Sequence, residues 1–112
     1  MPRGGEDDAR AFYADVLGMA ELTKPPTLAA RGGVWFRAGH LELHLGVEDP
    51  FRPARKAHPG VVVADEATLD ALAQRLRDAG IDVRPDELFP GYRRFYVDDC
   101  FGNRLEFMAE TS

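Results

Sequence analysis

Two short stretches, Gly39-His40-Leu41-Glu42-Leu43 and Gly102-Asn103-Arg104-Leu105-Glu106-Phe107, place a glutamate between apolar neighbours at matching points in the two halves of the chain. Each glutamate falls on the polar side of an alternating run, so each is expected to project from a strand. Carboxylates brought to one point repel unless a cation stands between them, and Glu42 and Glu106 could therefore share a metal ion. The same strand parity places Trp35, Arg37, Arg94, Tyr96 and Arg104 on the polar face. Guanidinium and aromatic groups there suit substrate binding, by clamping a carboxylate or stacking on a planar ligand. Equally, the arginines could neutralise Glu42 and Glu106 with no metal present.

Other reactive residue types have simpler explanations. His40 lies beside Gly39 in a hairpin turn, where an exposed polar residue needs no function. Arg52, Arg55 and Lys56 form the only basic run and read as a solvated connector. The single cysteine, Cys100, sits in a strand-joining turn, and no nucleophile is assigned.

The elements that must position these residues occur twice. Asp7 and Asp8 favour the positive N-terminal end of a helix whose apolar stripe is Ala9, Phe12, Tyr13, Val16 and Leu17, closed by Gly18. The second helix is expected to start at a cap, Asp65, to carry Leu69, Leu72, Ala73 and Leu76 on its stripe, and to end at Gly80. After each helix the period falls to two. Val34 and Phe36 alternate with Trp35 and Arg37, and Leu41, Leu43 and Leu45 with Glu42 and His44. In the second half Phe95 and Val97 alternate with Arg94 and Tyr96, and Leu105 and Phe107 with Arg104, Glu106 and Met108. Short strands near Glu21–Thr23, Val61–Val63 and Asp82–Arg84 complete the pattern.

The second copy reads βαβββ and the first only αβββ, because Met1 to Glu6 contains no β-branched or aromatic residue. The fold class is α+β, with helices on one face of the sheet. One domain is expected over 1–112: an incomplete first module over 1–48, a proline-stiffened connector over 49–58, and a second module over 59–112. The proline-containing segments Lys24–Ala30 and Pro85–Gly91 read as loops.

A chain of 112 residues is long enough for one modest core. Its net charge of -5 argues against nucleic acid and, taken globally, favours cationic ligands. No run is apolar enough to span a membrane, and no leader pattern precedes the first helix, so a cytoplasmic location is expected. One cysteine permits no internal disulfide, which suits a reducing compartment.

Three further groups of residues carry a family likeness: Ala9-Arg10-Ala11-Phe12-Tyr13 with Val16-Leu17-Gly18, the connector from Phe51 to Pro59, and Phe101-Gly102-Asn103-Arg104-Leu105-Glu106-Phe107. In this order and spacing the chain resembles the vicinal oxygen chelate superfamily, which includes glyoxalases, bleomycin-resistance proteins and extradiol dioxygenases. The resemblance implies tandem βαβββ modules forming a cup-shaped mixed sheet with helices outside, here without the first strand of module one. It also implies a divalent metal on the concave face in many members, with ligands from the first and last strands of each module. Carried onto this chain, those positions are Glu42, His58 and Glu106, with His44 as a substitute. The equivalent of His58 in the first module would precede Met1, so a start placed too late or a shortened chain is expected. Cys100 stands where relatives commonly have proline.

Two functions follow from the resemblance. In one, a metal-dependent lyase or isomerase, the metal (Zn, Ni, Mn, Fe or Co) polarises a substrate bound through vicinal oxygens and Glu106 acts as the base. Dioxygenase-like chemistry would use the same residues. In the other, a metal-free protein of the bleomycin-resistance type sequesters a drug or toxin, with Trp35, Tyr96 and Phe89 stacking on it. No metal is as compatible with this chain as a metal. Either way the expected partner is a small molecule, and a homodimer is expected.

Overall fold

The computed structural model describes residues 1–112, which divide into two compact units, Met1–Pro53 and Ala54–Ser112.

The first unit opens with α1, Glu6–Ala9, whose first turn holds Glu6, Asp7 and Asp8, carboxylates that complement the helix dipole. The helix widens into a π-helical segment over Arg10–Val16, where the expected stripe called for an ordinary α-helix. The Leu17 N–H reaches back five residues to the Phe12 carbonyl at 3.0 Å, and neighbouring Phe12 and Tyr13 are both buried. Gly18, at φ +76°, ends the segment with the left-handed geometry expected of it. Three antiparallel strands follow in the order β1 (Ala20–Leu22), β2 (Val34–Ala38), β3 (Leu41–Leu45). The segment expected to be a loop carries a short helix, α2, over Pro26–Ala29, started by a proline whose missing N–H costs nothing in a first turn. Tyr13 stacks on Phe36 with ring centroids 5.3 Å apart, joining the helical layer to β2.

The second unit runs β4 (Gly60–Val62), α3 (Glu66–Asp78), β5 (Arg84–Asp86), β6 (Tyr92–Asp98) and β7 (Arg104–Glu110). The sheet order is β4-β7-β6-β5, with β4 parallel to β7 and the other pairs antiparallel, so this sheet is mixed. Asp65 caps α3 by accepting from the Thr68 N–H at 2.7 Å, and Arg75 and Arg77 occupy its last turn. Leu69, Ala73 and Leu76 are buried and face Phe95, Val97, Leu105 and Phe107 of the sheet, with Phe95 and Phe107 in direct cross-strand register. Strand β5 lies two residues beyond the expected Asp82–Arg84. Pro85 is tolerated in it because β5 is an edge strand.

A buried aspartate shapes the turn from β6 to β7. Asp99 Oδ1 accepts from the Phe101 and Asn103 backbone N–H groups at 2.8 and 2.9 Å, and Oδ2 accepts from Asn103 Nδ2 at 2.9 Å. Asn103 Oδ1 then accepts from the Ala54 N–H at 2.8 Å, while the Arg104 N–H donates to the Ala54 carbonyl at 2.7 Å. This holds the chain leading to His58 beside the start of β7.

The two units repeat each other at the backbone level. The Met1 amine donates to the Gly46 carbonyl at 2.8 Å, and the Val63 N–H donates to the Met108 carbonyl at 2.8 Å. Both members of the second pair lie 62 positions after those of the first, the spacing that also separates Gly18 from Gly80. No helix is long and apolar enough to cross a membrane.

Phe36 has 0 % exposure and supports Tyr13, so Phe36→Ala should destabilise the protein by about 3–5 kcal/mol. Urea unfolding measures this, and a loss below about 1 kcal/mol would contradict the packing described.

Candidate functional site

In the second unit the polar face of the sheet is organised around Glu106. Alternation along β7 puts Glu106 on the face opposite Leu105 and Phe107, and it pairs with Tyr96 on β6 and Gly60 on β4. Sequence alternation places this carboxylate on the polar face of its strand. Glu106 is nonetheless only 6 % exposed, on a strand flanked by β4 and β6. A carboxylate in that position needs donors on both oxygens. His58 Nε2 lies 2.9 Å from Oε1 and Arg94 Nη1 donates to Oε2 at 3.1 Å.

His58 is itself held by the connector. Its Nδ1 faces the carbonyls of Arg55 and Lys56, both at 3.0 Å, and a ring nitrogen facing two acceptors carries the hydrogen. Its other ring nitrogen, Nε2, is thereby held against Glu106 Oε1. Arg94 also donates to Asp86 Oδ1 through Nη2 at 3.2 Å, and its guanidinium lies over the Phe89 and Tyr96 rings at 5.2 and 5.3 Å. Burial lowers the Arg94 pKa, but its hydrogen bonds to Glu106 and Asp86 outweigh that and raise it. Asp86 is held below the usual carboxylate range, first by the Leu88 N–H and then by Arg94. Arg84 pairs with Asp98 at 3.0 Å. Arg104 lies over Tyr96 at 5.4 Å and forms no ion pair.

The first unit carries a more exposed cluster of the same residue types. Arg37 and Glu42 are cross-strand partners, as are Trp35 and His44. Arg37 binds Glu42 Oε1, and His44 Nε2 lies 2.8 Å from Oε2 while its ring stacks on Trp35 at 3.8 Å. Lys24 lies over the other aromatic partner, Trp35, at 5.7 Å. Glu42 is held below the usual carboxylate range, chiefly by Arg37 and then by His44.

These contacts bear on the metal set expected from the sequence. Glu42, His58 and Glu106, with His44 as substitute, offered up to four donors. The structure contains no group of three or more His, Cys, Asp or Glu side chains arranged to hold a metal ion. Within the units the donors occur as the pairs Glu42–His44 and His58–Glu106, and in each pair the second carboxylate oxygen is held by an arginine. A divalent ion at either carboxylate would meet a guanidinium already in place. Within each unit the carboxylate and its imidazole, as paired here with an arginine, fit a metal poorly.

His40 and Cys100 are exposed, as are Arg52, Arg55 and Lys56. Sequence reasoning missed Asp86 and Lys24. The signal for Asp86 was the opposition of an acidic edge strand to Arg94, which the two-residue displacement of β5 concealed. A cavity of about 380 Å³ beside α3, lined by Leu69, Ala73, Val83 and Phe95, meets the polar cluster only at Asp86 and Arg94.

The family model described as Glyoxalase/Bleomycin resistance protein/Dioxygenase superfamily matches residues 4–107. Among solved structures, a glyoxalase family protein from Bacillus anthracis is 47% identical with a TM-score of 0.93, covering 99% of this chain and 88% of that one. A lactoylglutathione lyase from Agrobacterium tumefaciens is 26% identical with a TM-score of 0.71, over 93% of this chain and 84% of its own. An antibiotic binding protein from Streptomyces sp. CB03234 shares the fold at 20% identity and a TM-score of 0.77, over 99% and 91% of the two chains. No curated protein matches the chain.

The depressed Asp86 pKa fixes the sign of a pH effect. Its stabilisation is present above the unfolded value of about 3.9 and is lost as pH falls through the lower folded value. Asp86→Asn should therefore lower the Tm at pH 7, and the gap to wild type should close as the pH drops below about 3.9. A gap that persists unchanged through the acid range would contradict the pairing.

Proposed function

This chain belongs to the Glyoxalase/Bleomycin resistance protein/Dioxygenase superfamily, and from that premise we propose that it binds a small molecule and sequesters it without a metal, in the manner of the bleomycin-resistance members. The observation that carries this reading is the arginine on the second oxygen of each glutamate. A carboxylate held by a guanidinium on one oxygen and an imidazole on the other has a partner on both oxygens, which suits it poorly to removing a proton from carbon. The same arrangement is suited to holding neighbouring groups still.

The ligand-facing groups of the second unit are Arg94, Tyr96 and Arg104, with Phe89 beside Arg94; those of the first are Trp35, Arg37 and His44. Aromatic rings supply area at small entropic cost, and arginines supply direction. Fixing Arg94 between Glu106 and Asp86 sets its position before any ligand arrives, which lowers the ordering cost of binding.

The second reading is the metal-dependent lyase or isomerase, with Glu106 as the catalytic base. It draws support from the likeness to lactoylglutathione lyase and from the adjacency of an imidazole and a carboxylate at His58 and Glu106.

Metal content and thermal shift separate the two. Protein purified without a chelating column is expected to contain no stoichiometric metal, and its Tm is expected to be unmoved by Ni, Mn or Zn or by chelator. An ion bound only to the folded state at one hundred times its Kd stabilises by about 2.7 kcal/mol. A clear rise in Tm with one of these metals, together with its loss in chelator, would favour the enzyme and sink the metal-free reading.

A further inference from the structure

Three arginines project from the polar face of the second unit's sheet region, and their circumstances differ. Arg84 is paired with Asp98 and Arg94 with both Asp86 and Glu106. Arg104 has no carboxylate partner. Its Nε is buried and makes no hydrogen bond, the sole buried side-chain nitrogen or oxygen left in that state. The register places Arg104 opposite Asp98, yet Asp98 is bound by Arg84 instead.

Leaving a buried donor of a charged group unmatched is costly. An ordered water or a ligand can supply the missing acceptor. Packing against Tyr96 supports the guanidinium and leaves its N–H edge without an acceptor. The fixed fork of an arginine matches two oxygens of one oxyanion. The neighbouring carboxylates that would repel such an anion are already matched: Asp98 by Arg84, Asp86 by Arg94, and Glu106 by Arg94 and His58.

We infer that Arg104 receives an oxyanion, a carboxylate or phosphoryl group, of the small molecule bound on this face. The inference rests on the proposed small-molecule-binding reading and specifies the class of ligand. It runs against the global charge of -5, which favours cations at long range. At contact distance the one unmatched group decides, because the other charges of the face are paired.

The test uses the full chain and three probes of one shape: benzoate, phenyl phosphate and the neutral benzamide. Binding is followed by NMR in chloride buffer, including the Nε–Hε signal of Arg104, with dissociation constants from the titrations. At least one anion should bind about tenfold or more tightly than benzamide and shift the Arg104 signal. The tighter of the two anions identifies the group as carboxylate or phosphoryl. Arg104→Gln should abolish the preference, and Arg104→Lys should retain charge attraction while losing most of the tenfold. The wild-type Nε–Hε shift keeps the test decisive if a variant folds poorly.

Benzamide binding as tightly as both anions, or anion binding that leaves the Arg104 signal unmoved, would overturn the inference while leaving the small-molecule-binding reading intact. Failure of all three probes to bind on this face would count against both.

Discussion

A carboxylate with 6 % exposure is tolerable only when charged donors meet it, and Glu106 imposes that condition on the whole polar face of the second unit. Desolvating an anion costs several kcal/mol, and removing one partner of a buried pair is correspondingly severe. Arg94 and His58 satisfy the two oxygens, and each brings further structure with it. Arg94 binds Asp86 and so ties the edge strand β5 to the centre of the sheet. His58 is oriented by two connector carbonyls, so the connector's conformation and the ring position are one problem. The Asp99 turn, which holds Ala54 beside β7, delivers that connector to the right place.

The first unit shows what the same residue types do when the carboxylate is wet. Glu42 has 39% side-chain exposure, and its contacts with Arg37 and His44 are screened by solvent. Nothing in that unit depends on Glu42 as the second depends on Glu106. A doubled scaffold has kept its backbone contacts, seen in the matching Met1–Gly46 and Val63–Met108 hydrogen bonds, while at the same spacing of 62 the counterpart of Glu106 is His44 and that of Glu42 is Arg104, so the side chains at the equivalent positions have diverged.

Much of the fold was legible because alternation and helix punctuation are local. The stripes of both helices, the caps at Asp65, Gly18 and Gly80, and the inward set of Phe36, Phe95, Val97, Leu105 and Phe107 all follow from spacing. The π-helical turn was not legible, since Phe12 and Tyr13 read equally well on an α-helical stripe. Nor was the position of β5: Pro85 argues against a strand until its place at the edge is known. For the site, strand parity selected the polar-face residues Trp35, Arg37, Arg94, Tyr96 and Arg104, but parity gives a face and not a partner. Which arginine takes which acid depends on register and on β5. For that reason the pairing of Arg94 with Asp86 and the isolation of Arg104 emerged only from the structure.

The pairing pattern also bears on how one scaffold can host both conversion and sequestration. A metal site needs carboxylate oxygens whose lone pairs point at the ion and no competing cation nearby. A binding site needs its donors fixed before the ligand arrives. In this chain Arg94 occupies the second oxygen of Glu106, the contact on which the proposed metal-free reading rests. The guanidinium supplies a positive charge at the carboxylate, as a metal would, but it offers no open coordination position and cannot polarise a carbonyl as a Lewis acid. It supplies instead a rigid planar group packed against two aromatic rings, Phe89 and Tyr96. With Arg94 fixed there, the electrostatic requirement of the buried acid is met from within the chain, and on the polar face of this sheet Arg104 is the arginine left without an acid.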